Sequence, residues 1–257
     1  MGVAHEPVIL TYHSIAGGGS PIEIPPEMFA QQMDWLAGHF RVAPLAEVVD
    51  ALRAHHPLPE RTVVLTFDDG FADFFSVAAP VLLRHRLPAT VFLPTAYLGK
   101  TSAWPGQPAW VKTAPLLSWE QVRELSAAGI DFGAHSVSHP ALTALGPADV
   151  EKELAESREE IETHTGRPAA FFCYPYGLWN PAVRRCAQQH FRGACSTAAG
   201  AVEPDADPYA LPRVDAHYLR NRRWFRSLFT QRFRSYVAAR RIIRRIRGQP
   251  EGSYARV

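Results

Sequence analysis

The chain repeats one pattern, in which short apolar runs rich in β-branched and aromatic residues alternate with longer stretches of helical spacing. We predict strands at residues 8–12, 63–67, 89–93, 130–133, 169–174, 192–196 and 210–214, and helices at residues 26–39, 45–55, 74–85, 118–128, 147–165 and 181–190. Pro147 and Pro181 suit the first turn of a helix, and Ser118 with Gln121 predicts a capping box. Strands that alternate with helices pair in parallel and are buried on both faces. The pattern therefore predicts an α/β fold, either a barrel or a doubly wound sheet.

Composition narrows the class of protein further. Of the 257 residues, 47% are hydrophobic and 20% are charged, which excludes a disordered or fibrous chain. Three cysteines without a CxxC pair are too few for a disulfide framework and favour a reducing compartment. No apolar run approaches the roughly 20 residues of a spanning helix, and the first residues lack the pattern of a signal peptide. We therefore expect a cytoplasmic protein.

Charge divides the chain into two parts. From Arg220 onward there are 12 arginines and one acidic residue, whereas residues 1–219 hold 15 basic and 24 acidic side chains. We predict a catalytic domain at 1–219 and an Arg-rich amphipathic helical tail at 220–257. The tail fits two interpretations: peripheral contact with the inner face of a membrane, or a terminal helix packed on the acidic body. An acidic body without a recognised nucleic-acid module excludes nucleic acid as the partner.

Polar residues directly follow nearly every predicted strand. Asp68 and Asp69 follow residues 63–67, the pair His135 and His139 follows residues 130–133, and His13 follows the first strand. The carboxyl ends of parallel strands form one face of an α/β protein, and this face holds the active site. We expect these side chains to meet in one cleft.

Two histidines and a carboxylate are a ligand set for a divalent metal ion. His135, His139 and Asp69 would leave coordination positions open for water and substrate, as in catalytic zinc sites. Zinc suits these donors, but cobalt, nickel or iron suits them too. Asp68 is then free to accept a proton from water. The conjunction predicts metal-assisted hydrolysis.

The long connection at residues 99–115 carries Trp104 and Trp110. Long loops in compact domains are often functional, so both rings are candidates for substrate contact. Packing in a local apolar cluster is the structural alternative.

Three motifs together resemble a known family. The segments TFDDG at 66–70, HSVSH at 135–139 and YPYG at 174–177 are similar to the polysaccharide deacetylases, also called carbohydrate esterase family 4 or the NodB-homology domain. The match in order and spacing spans about residues 8 to 217. The resemblance implies a distorted (β/α) barrel that removes N-acetyl groups from amino sugars. It assigns Asp68 as the general base and Asp69, His135 and His139 as metal ligands.

The same resemblance implies a substrate subsite at the third motif. Tyr176 would donate its backbone N–H to the oxyanion and line the sugar site with its ring, and Tyr174 and Pro175 would complete the subsite. The family often starts this motif with an arginine that holds the base, but Cys173 stands there in this chain. We expect Arg213 to replace that arginine from a neighbouring strand.

Two histidines compete for the role of general acid. His13, in the segment TYHS at 11–14, resembles the opening of the subgroup that acts on poly-N-acetylglucosamine, whereas His217 lies near where a late family motif would fall. We favour His13. The expected function is metal-dependent N-deacetylation of an amino sugar in a glycan or glycolipid. A deformylase or other amide hydrolase on the same scaffold, or a non-catalytic carbohydrate-binding protein, is the alternative.

Overall fold

The computed structural model describes residues 6–17, 19–108 and 111–246, with the backbone alone from residue 240 onward. Strands and helices alternate along most of the chain. In chain order they are β1 (Val8–Tyr12), α1 (Pro26–His39), β2 (Arg41–Val42), α2 (Leu45–Arg53), β3 (Thr62–Phe67), α3 (Ala79–His85), β4 (Thr90–Leu93), α4 (Trp119–Ala127), β5 (Asp131–Ala134), α5 (Pro147–Thr165), β6 (Phe171–Cys173), α6 (Pro181–His190), β7 (Gly193–Ala199), β8 (Leu211–Asp215), α7 (Arg222–Phe225) and α8 (Gln231–Ile246).

Seven parallel strands close into a barrel. Their order is β1-β8-β7-β6-β5-β4-β3, and β3 pairs again with β1 over five residues, from Val8 with Val63 to Tyr12 with Phe67. The eighth strand, β2, pairs only with Thr62 and Val63 at the start of β3, whereas β4 pairs with the end of that strand. Closure buries both faces of the strands, which is why β1 and β3 are apolar without alternation.

The predicted α/β barrel is confirmed, and the doubly wound alternative is wrong because β1 and β3 close the sheet. All seven predicted strands are present, with ends that differ by no more than three residues. Among the strands of the described residues, β2 alone was not predicted, because a two-residue strand has no periodicity to detect. The capping box is present: Ser118 accepts from the N–H of Gln121, whose side chain accepts from the N–H of Ser118. The helix predicted at 74–85 begins as a π-helical turn, Phe74–Ala78.

The tail forms two helices rather than one. Phe229 interrupts them with a left-handed backbone (φ 63°), and the hydroxyl of Thr230 accepts from the N–H of Phe233 in the first turn of α8. Several apolar tail side chains are buried in the barrel's main core: Phe225, Leu228, Phe229, Phe233 and Val237. Arg234 forms an ion pair with Glu6 at 3.2 Å. The apolar side of the described tail is therefore packed on the body. Across the described residues, no helix has the length and apolarity needed to cross a bilayer.

Candidate active site

The site lies at the carboxyl ends of the barrel strands, where the chain turns sharply into each following loop. Four of its non-glycine residues have a left-handed backbone: Asp69 (φ 70°), Ser136 (64°), His139 (57°) and Tyr176 (59°). Such conformations are uncommon for residues with a Cβ and persist only where the surroundings enforce them. Tertiary contacts therefore hold these loop residues in place, since local backbone preference does not.

Asp69, His135 and His139 converge on one point. The Oδ1 atom of Asp69 lies 3.4 Å from the Nε2 atom of each histidine, and the two Nε2 atoms are 3.2 Å apart. Ligand atoms of a tetrahedral ion with bonds of about 2.0–2.2 Å stand roughly 3.3–3.6 Å from one another. All three side chains are buried. The donor atoms therefore have the types and the spacing that a small divalent cation requires.

The hydrogen bonding of His135 directs its free nitrogen toward this point. Its Nδ1 donates to the carbonyl oxygen of Cys173 at 2.7 Å, so Nε2 is left with a lone pair when the ring is neutral. Burial opposes a positive charge on both rings. It lowers the pKa of His139. For His135, contacts with Cys173 and Asp69 outweigh burial and raise the pKa. For the Asp69 carboxyl, burial acts to raise the pKa, but hydrogen bonds from both histidines lower this pKa below its usual range. A cation would replace the proton that these lone pairs otherwise share.

Asp68 is held by Arg213, which reaches it from β8. The guanidinium donates from Nη1 to Oδ1 at 2.8 Å and from Nη2 to Oδ2 at 2.7 Å, while its Nε donates to the carbonyl of Ser196 at 2.9 Å. Burial alone would raise the pKa of Asp68, but the charge and hydrogen bonds of Arg213 lower it. Asp68 is therefore an ionised carboxylate whose charge is compensated.

A second buried trio, Asp68, His135 and Cys173, also has ligand atoms within 4.8 Å of one another. The Nη2 atom of Arg213 lies 3.1 Å from the Sγ atom of Cys173 and 2.7 Å from Asp68. A fixed positive charge between these two groups disfavours a cation there. Burial also raises the pKa of the Cys173 thiol to about 11, so this thiol remains protonated.

The two candidate general acids occupy different places. His13 is buried at the end of β1, and its Nε2 lies 3.9 Å from Oδ2 of Asp68. His217 lies in the turn after β8, where its N–H donates to the side chain of Asp215 at 2.8 Å. Proximity to Asp68 thus favours His13 for proton transfer.

A glutamate on α5 anchors the HSVSH loop, and sequence analysis missed it. Glu153 accepts from the backbone N–H groups of Val137 and Ser138, both at 2.8 Å, and from the hydroxyl of Ser138. The hydroxyl of Ser136 also accepts from the N–H of His139 at 3.0 Å. These bonds hold the segment between the two histidines. The helix carries many acidic residues, so no sequence signal distinguishes Glu153 from the others.

Aromatic residues form the walls of the pocket. The ring of His139 contacts Trp104 (centroids 4.3 Å apart) and Tyr176 (4.7 Å). Tyr174 also lines the pocket, but its hydroxyl donates to the carbonyl of Tyr209 at 2.9 Å. Pro175 is buried at the start of the turn that presents Tyr176. Trp104 therefore packs directly on a candidate metal ligand.

The loop at 99–115 contributes one wall, since Gln107, Pro108 and Val111 line the same pocket as Trp104. Trp110, the other candidate of this loop, lies outside the described residues. Gly177 completes the opposite turn with φ 69°, and a Cβ there would stand 2.0 Å from the Thr197 hydroxyl oxygen. Only glycine fits this position without displacement of the turn.

Comparison with known proteins places this arrangement in a family. The sequence profile of the polysaccharide deacetylases matches residues 55–191. The poly-β-1,6-N-acetyl-D-glucosamine N-deacetylase of Staphylococcus epidermidis is 26% identical over 215 residues, covering 78% of this chain and 71% of that protein.

Two solved structures share the fold. The Streptococcus pyogenes deacetylase PplD, in complex with acetate, superposes with a TM-score of 0.71 and 25% identity, over 82% of this chain and 92% of that one. IcaB from Ammonifex degensii superposes with a TM-score of 0.70 and 26% identity, over 82% and 91%. Since the family profile spans more than half of the chain, this protein belongs to the polysaccharide deacetylase family and is a hydrolase of non-peptide amide bonds.

Proposed function

We propose that this chain is a metal-dependent N-deacetylase that removes acetyl groups from an N-acetylated amino sugar within a glycan or glycoconjugate. One observation carries the proposal: an ionised Asp68, paired with Arg213, stands beside the convergent donor atoms of Asp69, His135 and His139. A binding protein has no need of a compensated carboxylate next to such a cluster. A hydrolase needs it to take a proton from water.

Each residue has a part in amide hydrolysis. Asp69, His135 and His139 would hold a divalent cation, for which we propose Zn²⁺; when bound, it would supply the charge to polarise the amide carbonyl and acidify water. Asp68 accepts the proton of the attacking water, and Arg213 keeps this carboxylate ionised between turnovers. We assign His13, whose Nε2 lies 3.9 Å from Asp68, to the delivery of a proton to the departing amine.

The developing negative charge needs a donor that is already in position. The turn Pro175–Gly177 holds Tyr176 in a left-handed conformation against His139. We assign its backbone N–H to the oxyanion and its ring to the sugar. Trp104 lines the same pocket, and flat aromatic surfaces suit the apolar face of a pyranose ring.

The substrate class is supported by the relatives. The Staphylococcus epidermidis relative is named for poly-β-1,6-N-acetyl-D-glucosamine, and the solved PplD structure holds acetate, the acid product of a deacetylation. The first supports an N-acetylated hexosamine as the proposed substrate unit, and the second supports acetyl removal. Contact of the basic tail with an anionic membrane, which would favour a lipid-linked substrate, is an added proposal that liposome flotation with and without residues 220–257 tests.

Acetate release is the direct test. The zinc-loaded protein is incubated with β-1,6-linked and β-1,4-linked N-acetylglucosamine oligomers, and acetate is quantified over time. We expect release by the wild-type protein, none from Asp68→Asn with metal still bound, and none from His139→Ala because metal binding is lost. Comparison of these two variants distinguishes the loss of the general base from the loss of the metal site.

Other outcomes assign the alternatives. Metal binding without acetate release from either oligomer, but with formate release from an N-formyl sugar, would establish a deformylase. Oligosaccharide binding without metal and without turnover would establish a carbohydrate-binding protein. Either result contradicts the proposed reaction.

A further inference from the structure

A second group of metal-ligating side chains lies outside the barrel, between α5 and α6. Cys186 and His190 stand one helical turn apart on α6, and Glu151 faces them from α5. The Sγ atom of Cys186 is 3.2 Å from Oε2 of Glu151, and Nε2 of His190 is 2.7 Å from Oε1 of the same carboxylate. The three ligand atoms all lie within 4.8 Å of one another. None of these residues takes part in the active site described above.

Hydrogen bonds hold the cluster together. The Cys186 thiol donates to the Glu151 carboxylate; burial and this hydrogen bond raise the pKa of Cys186 to about 12. Hydrogen bonds from Cys186 and His190 lower the pKa of Glu151. The ionised carboxylate of Glu151 thus accepts from the S–H of Cys186 and the N–H of His190, which both lie on α6. A cation that displaced these protons would find ligand atoms from all three side chains within 4.8 Å of one another.

We propose that Glu151, Cys186 and His190 form a second metal site, selective for Zn²⁺ and similar borderline-soft ions. A thiolate, an imidazole and a carboxylate are ligands of zinc, with bonds of about 2.3 Å to sulfur and about 2.0–2.2 Å to nitrogen and oxygen. Magnesium and calcium prefer all-oxygen sites, so this donor set disfavours them. Water completes the coordination because the carboxylate is half exposed, at 50% of its side-chain area.

The position of the cluster indicates a structural role. Residues two apart on a helix differ in direction by about 200°, so Glu151 and Glu153 face opposite ways from α5. Glu153 holds the HSVSH loop on one side. On the other side, an ion bound to Glu151 would fasten α5 to α6 and so steady the helix that carries this anchor.

Metal stoichiometry of the full-length protein tests the proposal. The protein is saturated with Zn²⁺, dialysed, and analysed for zinc per chain. We expect two ions in the wild-type protein, and one in each of the variants Cys186→Ser and His190→Ala. Glu159→Gln removes an exposed carboxylate from the same helix outside the cluster and should retain two ions. His139→Ala should lose the active-site ion and keep the other, so the two sites fail independently.

Cobalt gives a second readout that does not depend on activity. Co²⁺ bound at the cluster should show a thiolate-to-metal charge-transfer band that is absent from Cys186→Ser, while acetate release by that variant stays within about twofold of wild type. One ion in both the wild-type protein and Cys186→Ser would overturn the proposal. So would two ions in both Cys186→Ser and His190→Ala, since the second ion would then lie elsewhere.

Discussion

Replacement of Arg213 by methionine tests how the base is held. The Arg213 side chain is 2% exposed and that of Asp68 is 4% exposed, and two charge-assisted hydrogen bonds join them. Methionine keeps an unbranched stem, shorter than that of arginine, and offers no donor, so Asp68 and the carbonyl of Ser196 both lose a partner. Breaking a buried ion pair from one side costs about 3–5 kcal/mol, because an uncompensated charge remains. This cost is a large part of the roughly 5–15 kcal/mol that stabilises a typical domain.

The same change should alter the pH dependence of catalysis. Arg213 lowers the pKa of Asp68 against the effect of burial. The ionised carboxylate therefore stabilises the fold above its unfolded-state pKa, and this contribution is lost as pH falls through the lower folded-state pKa. In Arg213→Met the main influence that opposes burial is removed, so the pKa of Asp68 rises. The acid limb of kcat/KM should move to higher pH, and activity at neutral pH should fall.

Urea unfolding of the metal-loaded protein and a pH profile of acetate release measure the two effects. Arg213→Lys is the matched control, since it keeps one charge but not the two-pronged geometry, and its loss of stability should be about 1–3 kcal/mol. The double variant Asp68→Asn with Arg213→Met should recover much of the stability without activity. A loss below about 1 kcal/mol in Arg213→Met, together with an unmoved acid limb, would refute this account of the pair.

Three further predictions follow from single contacts. Glu153→Gln should weaken metal binding about 10–100-fold, the usual effect of an outer support residue, as measured by chelator competition; an affinity equal to that of Glu159→Gln would contradict the anchoring role. His13→Ala should lower kcat by roughly 10²-fold with metal content unchanged, whereas His217→Ala should retain wild-type kcat; the reverse ranking would transfer the general-acid role. Phe233→Ala should lower the free energy of unfolding by about 3–5 kcal/mol, because its ring is buried in the barrel core. Thermal denaturation checks this value, and an unchanged midpoint would show that the tail is not part of the folded body.

The fold could be predicted because its signals are local. Apolar runs of strand length, helix caps such as Ser118 with Gln121, and prolines in first turns each report on the segment in which they occur. The sequence did not decide whether the sheet closes into a barrel, because a barrel and an open parallel sheet are built from the same strand–helix units. The pairing of β1 with β3 decided it.

The candidate site also combines residues that the sequence predicts with residues that only the fold reveals. Asp69, His135 and His139 could be proposed as a group because each follows a strand, and the ends of parallel strands meet on one face. The residues that hold this group in position could not be predicted from the sequence. Glu153 is one of many acidic residues on α5, and its role depends on which side of the helix faces the HSVSH loop.

The sequence by itself determined the order of strands and helices, the chemical types at the strand ends, and the separation of an acidic body from a basic tail. Tertiary structure decided which of these groups touch: the pairing of Arg213 with Asp68 from a distant strand, the burial of tail side chains such as Phe233, and the meeting of Glu151 with α6. The reason is physical. Local patterns depend on the repeat of a single helix or strand, whereas contacts between charged and polar side chains depend on how separate elements pack, and no short stretch of sequence encodes that packing.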